Sequence, residues 1–132
     1  MLAAVTDAPQ TILVVEDDPD VRSLTCSLLR SFGYEVFEAG ESRGALQVIR
    51  GTPRIALLLV DVVLPGGMNG PKLVEEVRRL RPEIEVLYMS GYTENAVLHH
   101  GRLDPGVNLL QKPFTKRELA SRVRILLERK NA

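Results

Sequence analysis

Hydrophobic positions along the chain follow two alternating patterns. Unbroken apolar runs stand at Thr11-Ile12-Leu13-Val14-Val15 and over 56–61, where Leu57-Leu58-Leu59-Val60 closes on Asp61. A continuous run, as opposed to alternation, predicts a strand buried on both faces. Shorter apolar stretches at 34–39, 85–90 and 108–111 predict three further strands. Between the strands the period changes to that of a helix. Asp18-Pro19 marks a helix start, with Asp18 as N-cap and Pro19 in the first turn. Val21, Leu24, Leu28 and Phe32 then share one stripe, Gly33 closes the helix, and Cys26 falls well off the stripe's centre. A second helix opens at Glu41 or Ser42 and carries Ala45, Leu46, Val48 and Ile49, with Gly51 past its end. A third begins near Pro71, turns Leu73, Val74, Val77 and Leu80 inward, and stops at Pro82. A short helix over 94–101 is expected, limited by Gly101, Pro105 and Gly106. The last helix opens on the capping box Thr115-Lys116-Arg117-Glu118, with Phe114 and Leu119 placed as a hydrophobic staple. Leu119, Val123, Leu126 and Leu127 face the core.

Strand and helix thus alternate five times. Parallel strands require such crossovers, and right-handed crossovers distribute helices over both sheet faces. The expected fold is α/β: a doubly wound, flavodoxin-like (βα)5 unit with a five-stranded parallel sheet of order 2-1-3-4-5. That order sets the two most apolar strands side by side at the centre. One unit over 11–129 is expected, with 1–10 a tail or linker remnant and 130–132 a C-terminal tail.

Composition narrows the setting. A chain of 132 residues, 45% of them hydrophobic, can bury a core and is not compositionally disordered. Its 17 basic and 17 acidic residues cancel, which argues for neither a nucleic-acid nor a membrane partner. A single cysteine, Cys26, excludes an internal disulfide and a multi-cysteine metal site. No signal peptide or spanning segment is evident, so the expected location is cytoplasmic.

Candidate chemistry lies at one sheet edge. Both central strands end in carboxylates, Glu16-Asp17 and Asp61, and the carboxyl edge is where open α/β sheets bind ligands. Two like charges about 5 Å apart repel by about 3 kcal/mol at an effective dielectric near 20. Such a cluster calls for a proton, a cation or a basic side chain. Mg2+ suits it, taking one or two carboxylates, waters and a phosphate oxygen. Ser90 and Lys112 end the next two strands on the same edge. Metal, ammonium and hydroxyl around one carboxylate are the parts needed for phosphoryl transfer to Asp61. Taken singly, each residue has an ordinary structural reading: solvated loop acids, a strand-end serine, a surface lysine. His99 and His100 read as an exposed pair, and Arg78, Arg79 and Arg81 as the solvated end of a helix.

Four pieces carry a family resemblance. They are Ile12-Leu13-Val14-Val15-Glu16-Asp17-Asp18-Pro19, Leu59-Val60-Asp61 with Pro65 and Gly70, Met89-Ser90-Gly91, and Lys112-Pro113-Phe114. In this order, each at a strand end, they resemble the response-regulator receiver domain of two-component signalling. The resemblance implies that Asp61 is the phosphoacceptor and that Glu16 and Asp17 hold Mg2+ with Asp61 and the Val63 carbonyl. It implies that Ser90 is the switch hydroxyl, that Lys112 pairs with the phosphoryl group, and that the Lys112-Pro113 peptide is cis. The donor would be a phosphohistidine on a sensor histidine kinase or a histidine phosphotransfer protein. An output partner would dock on the fourth helix, fifth strand and last helix, or the phosphate would be relayed onward. The domain would be a signalling module and not an enzyme, although it assists its own phosphorylation and dephosphorylation.

Some positions depart from the pattern. Leu109 stands where many receivers carry a switching aromatic, which moves the expected switch to Ser90 and 91–106. The loop after Asp61 holds an extra glycine, Gly66-Gly67. These features, with Ser90-Gly91-Tyr92, resemble receivers attached to hybrid histidine kinases, and a stand-alone regulator fits as well. Val63 and Tyr92 occupy the positions that tune hydrolysis, and neither offers an acid or amide to orient water, so a long-lived phosphoryl group is expected. Two other readings share these parts. A haloacid-dehalogenase-type phosphatase would need Asp-x-Asp after the first strand, where this chain has Glu-Asp-Asp. A pseudo-receiver would lack the acceptor or the lysine, and both are present.

Overall fold

The computed structural model describes residues 9–91 and 108–130. In chain order these form β1 (Thr11–Val15), α1 (Pro19–Ser31), β2 (Glu35–Ala39), α2 (Ser42–Gly51), β3 (Ile55–Asp61), α3 (Gly70–Leu80), β4 (Glu85–Ser90), β5 (Leu109–Gln111) and α4 (Lys116–Lys130). The strands make one parallel five-stranded sheet of order β2-β1-β3-β4-β5. This is the doubly wound order expected from the alternation. The expected helix over 94–101, together with Tyr92, His99 and His100, lies outside the described residues.

β1 and β3 are buried along their whole length, as unbroken apolar runs should be. Side chains alternate across the sheet and feed two cores. Leu13, Val15, Leu58, Val60, Val86 and Tyr88 pack with Ala45 and Ile49 of α2 and Leu73, Val74 and Val77 of α3. Ile12, Val14, Leu57, Leu59, Leu87 and Met89 pack with Cys26 and Leu29 of α1 and Leu119, Val123, Leu126 and Leu127 of α4. Leu57, Leu58 and Leu59 are wholly buried, each contributing about 1.5–3 kcal/mol through removal from water.

The helix signals hold at the caps. The Asp18 carboxylate accepts from the Asp20 and Val21 amides at 2.9 and 3.2 Å. In the capping box, Thr115 and Glu118 exchange bonds of 2.8 and 3.0 Å. Gly33 follows α1 at φ 100°, a left-handed conformation in which glycine carries no Cβ penalty.

Three details differ from the sequence reading. The inward face of α1 is Thr25, Cys26 and Leu29, while Leu24 is 62% exposed and Val21, Leu28 and Phe32 are half-buried at its flanks. The apolar stripe is wider than the contact, and α1 turns its small side chains to the sheet. The Thr25 hydroxyl is buried because it donates to the Val21 carbonyl at 2.7 Å. Leu80, expected inward, is exposed in the last turn of α3. α2 runs through Gly51 and is capped by Thr52.

Candidate functional site

The central strands deliver the acids. β1 and β3 are neighbours with Val15 opposite Val60, so Glu16 and Asp61 leave the sheet side by side. Glu16 remains anchored past the strand, because its amide donates to the Ala39 carbonyl at 3.1 Å. Asp61 pairs in register with Met89, and Ser90 follows one step on, opposite Gln111. The Lys112 amide then donates to the Ser90 carbonyl at 2.8 Å, which brings the lysine to the same edge. The Lys112-Pro113 peptide is cis.

Lys112 Nζ donates to Glu16 Oε1 at 2.7 Å and to Asp61 Oδ2 at 2.6 Å. Both carboxylates are almost fully buried, at 1% and 3% exposure. Their other oxygens are also engaged. Glu16 Oε2 accepts the Asp18 amide at 3.1 Å, and Asp61 Oδ1 accepts the Val63 amide at 3.1 Å. Asp17 is exposed, yet one carboxylate oxygen from each of Glu16, Asp17 and Asp61 lies within 4.8 Å of the others. Two of the three carboxylates share the Lys112 ammonium. An all-oxygen donor set that retains excess negative charge suits a hard divalent cation. Val63 and Pro65 line the open cleft over these groups.

Burial raises the Glu16 carboxyl to about 6, against the hydrogen bonds from Lys112 and the Asp18 amide, with the Asp61 charge adding to the rise. Burial alone would lower Lys112, but the hydrogen bonds and charges of Asp61 and Glu16 reverse this and hold it above the ordinary lysine value. The ammonium is therefore permanent at neutral pH.

The structure brings Glu16, Asp17, Asp61, Val63 and Lys112 to one cleft. Ser90 ends the adjoining strand, fully buried, with its hydroxyl donating to the Gly91 carbonyl at 3.1 Å. Leu109 is half-buried against the core on the α2 and α3 side.

Two residues outside the chemistry support the site, Gly70 from the resemblance motif and Arg22 with no motif of its own. A Cβ on Gly70 would lie 2.3 Å from the Asp61 carbonyl oxygen, so only glycine lets α3 start against the end of β3. Arg22, in the first turns of α1, donates to the Glu16 carbonyl at 2.7 Å. Its only trace in the sequence is a position one turn past Asp18. Gly66 and Gly67 both take positive φ, 88° and 86°, so the extra glycine of the loop has a conformational reason.

Comparison with known proteins identifies the family and the fold. The family model described as the response regulator receiver domain matches residues 12–124. The sensor kinase CckA of Brucella abortus is 35% identical over 122 residues, which are 92% of this chain and 13% of that protein. The response regulator receiver protein CpdR of the same organism is 28% identical over 116 residues, 88% of this chain and 95% of CpdR. A CheY-like response regulator receiver domain protein from Methanospirillum hungatei superposes with a TM-score of 0.79 at 29% identity, covering 93% of this chain and 97% of that one. The chain spans about half or less of the first curated relatives it matches. Among these is the DNA-binding response regulator MtrA of Mycolicibacterium smegmatis, so the balanced charge of this chain does not speak for the partners of a longer protein. Among the described residues no helix is long and apolar enough to cross a membrane. The chain belongs to the response regulator receiver domain family of two-component signalling.

Proposed function

We propose that this receiver takes a phosphoryl group from a phosphohistidine onto Asp61 in a Mg2+-dependent reaction. The observation that carries this reading is the shared ammonium: Lys112 spans Asp61 and Glu16 at 2.6 and 2.7 Å inside a cluster of three carboxylates. Glu16, Asp17, Asp61 and the Val63 carbonyl would hold the ion. When bound, Mg2+ supplies positive charge against the phosphoryl oxygens.

The chain's own groups do the rest. The Lys112 ammonium lies on the Asp61 carboxylate at 2.6 Å and so favours its charged, nucleophilic form. The Val63 amide fixes Oδ1, so the carboxylate cannot rotate freely. An Asp61 oxygen attacks phosphorus as the bond to the histidine nitrogen breaks, and that nitrogen keeps the electron pair. Lys112 then follows the new negative charge from the carboxylate to a phosphoryl oxygen, and the Ser90 hydroxyl turns from the Gly91 carbonyl to another. Loss of these two bonds at the cleft couples acceptor chemistry to β4, β5 and the chain between them. The partner reads that change on the side of β5 and α4, or accepts the phosphate in turn.

The test is phosphotransfer from a panel of autophosphorylated histidine kinases and phosphotransfer proteins carrying labelled phosphate. Label should reach wild type and not Asp61→Asn, and chelation should prevent it. Label on Asp61→Asn, or transfer indifferent to chelation, would refute the assignment.

A further inference from the structure

We infer that Arg22 is a positioning residue for the acidic pair: its guanidinium fixes the Glu16-Asp17 peptide and thereby the metal-binding geometry of both side chains. The inference rests on the Mg2+ reading above and concerns a side chain that touches none of the reacting groups.

Arg22 Nη1 donates to the Glu16 carbonyl at 2.7 Å, and Nε donates to Glu38 Oε1 at 3.2 Å. The Glu16 backbone is thus held from both sides, its amide by the Ala39 carbonyl of β2 and its carbonyl by α1. The Glu16 carbonyl and the Asp17 amide belong to one planar peptide unit. With the Glu16 amide also tied, fixing that plane fixes the direction in which Glu16 leaves the backbone and the position from which Asp17 starts. The guanidinium is itself fixed. Glu38 orients its fork, and a Cβ on Gly40 would lie 2.9 Å from Nη1, so glycine at 40 leaves the space it fills. The arginine is 23% exposed on its side chain, which makes the tie only partly open to water. Partners that orient metal ligands without touching the metal typically change affinity 10- to 100-fold when removed.

Electrostatics alone predicts the opposite sign. Arg22 is a cation beside a cation site, so its removal should strengthen Mg2+ binding by lowering repulsion. Positioning predicts that removal weakens it. Arg30 supplies the control, since its Nη2 lies 3.6 Å from Glu38 and donates to the Val36 carbonyl at 3.0 Å without reaching Glu16.

The experiment measures Mg2+ affinity by calorimetry on the full chain for wild type, Asp17→Asn, Arg22→Met, Arg22→Lys and Arg30→Ala. Metal-free melting temperatures and amide NMR spectra are recorded on the same proteins. Arg22→Met should weaken Mg2+ binding about tenfold. Arg22→Lys, which keeps the charge and one donor, should recover part of the loss, and Arg30→Ala should bind as wild type does. Without metal, the Asp17 amide should be the resonance displaced most near the site by Arg22→Met. Unchanged or tighter binding in Arg22→Met would overturn the inference, as would an equal loss in Arg30→Ala, which would mark a general tie between α1 and β2. If wild type itself binds no Mg2+, or Asp17→Asn binds as wild type does, the metal reading fails and the inference with it. If those two proteins behave as expected and Arg22→Met matches wild type, the inference alone fails.

Discussion

Replacing Lys112 with methionine removes a cation shared by two buried carboxylates. Each contact, at 2.6 and 2.7 Å, carries a gross attraction of about 6 kcal/mol at an effective dielectric near 20. Dehydrating the ammonium offsets much of that gain, and removing one partner of a buried pair typically costs about 3–5 kcal/mol. The loss has a ceiling, because an orphaned carboxylate can take up a proton. Taking an ordinary value near 4, that costs about 1.4 kcal/mol per pH unit, or about 5 kcal/mol at pH ~7.5. We therefore expect Lys112→Met to lose about 3 kcal/mol near neutral pH without metal. The sign with pH is fixed. Glu16 already stands at about 6, above its ordinary 4.5, and loses the Lys112 contacts that lower it. A carboxyl raised in the folded state stabilises fully below its unfolded value, and this is lost as pH rises through the folded value. In wild type, Lys112 is raised above its ordinary 10.5, so its contribution is complete below that value and lost only above it. The gap between the two proteins should thus be small near pH ~5 and widest between pH ~7 and ~10. Mg2+ should narrow it by supplying the missing charge. Urea denaturation followed by circular dichroism, at both ends of this range and with either EDTA or Mg2+, measures all three effects. A neutral-pH loss under about 1 kcal/mol, or a gap indifferent to pH, would refute the reasoning.

Other expectations follow from single contacts. Gly70→Ala should destabilise by about 3 kcal/mol, because its Cβ meets backbone at the Asp61 carbonyl, which cannot rotate aside; a melting temperature within error of wild type would contradict this. Mg2+ affinity, measured by calorimetry, should rise as pH climbs through about 6, since the proton bound by Glu16 below that value competes with the ion. Cys26 is wholly buried, and burial pushes its thiol up to about 11, with the Glu38 charge adding to the rise, so a thiol reagent should label it only on unfolding. Val63 is about half exposed over the cleft and offers no polar group, so Val63→Asn should shorten the phosphoryl lifetime, read by loss of label after donor removal.

How much of this was legible in the sequence depends on range. The strands were readable because β1 and β3 are apolar on both faces, and the helix starts because Asp18 and Thr115 cap locally. The orientation of α1 was not. Leu24 and Leu29 lie about 140° apart round a helix of 3.6 residues per turn, and either could head an apolar stripe. The sheet selects Thr25 and Cys26, whose small size allows close approach, and hydropathy gives them little weight. Leu80 departs from its stripe for a similar reason, as the last turn of α3 runs past the core. At the site, the acids and Lys112 could be placed because strand ends converge. That Lys112 bridges two carboxylates, across 96 and 51 positions, that Arg22 holds the Glu16 carbonyl across 6 and that Gly70 abuts Asp61 across 9 are contacts that only the folded chain creates.

The most direct measurement of the central claim is intact-protein mass after incubation with acetyl phosphate and Mg2+, for wild type and Asp61→Asn. One phosphoryl adduct on wild type, absent from the variant and from samples with EDTA, is the predicted result. An adduct that persists on Asp61→Asn would place the acceptor elsewhere and contradict the account.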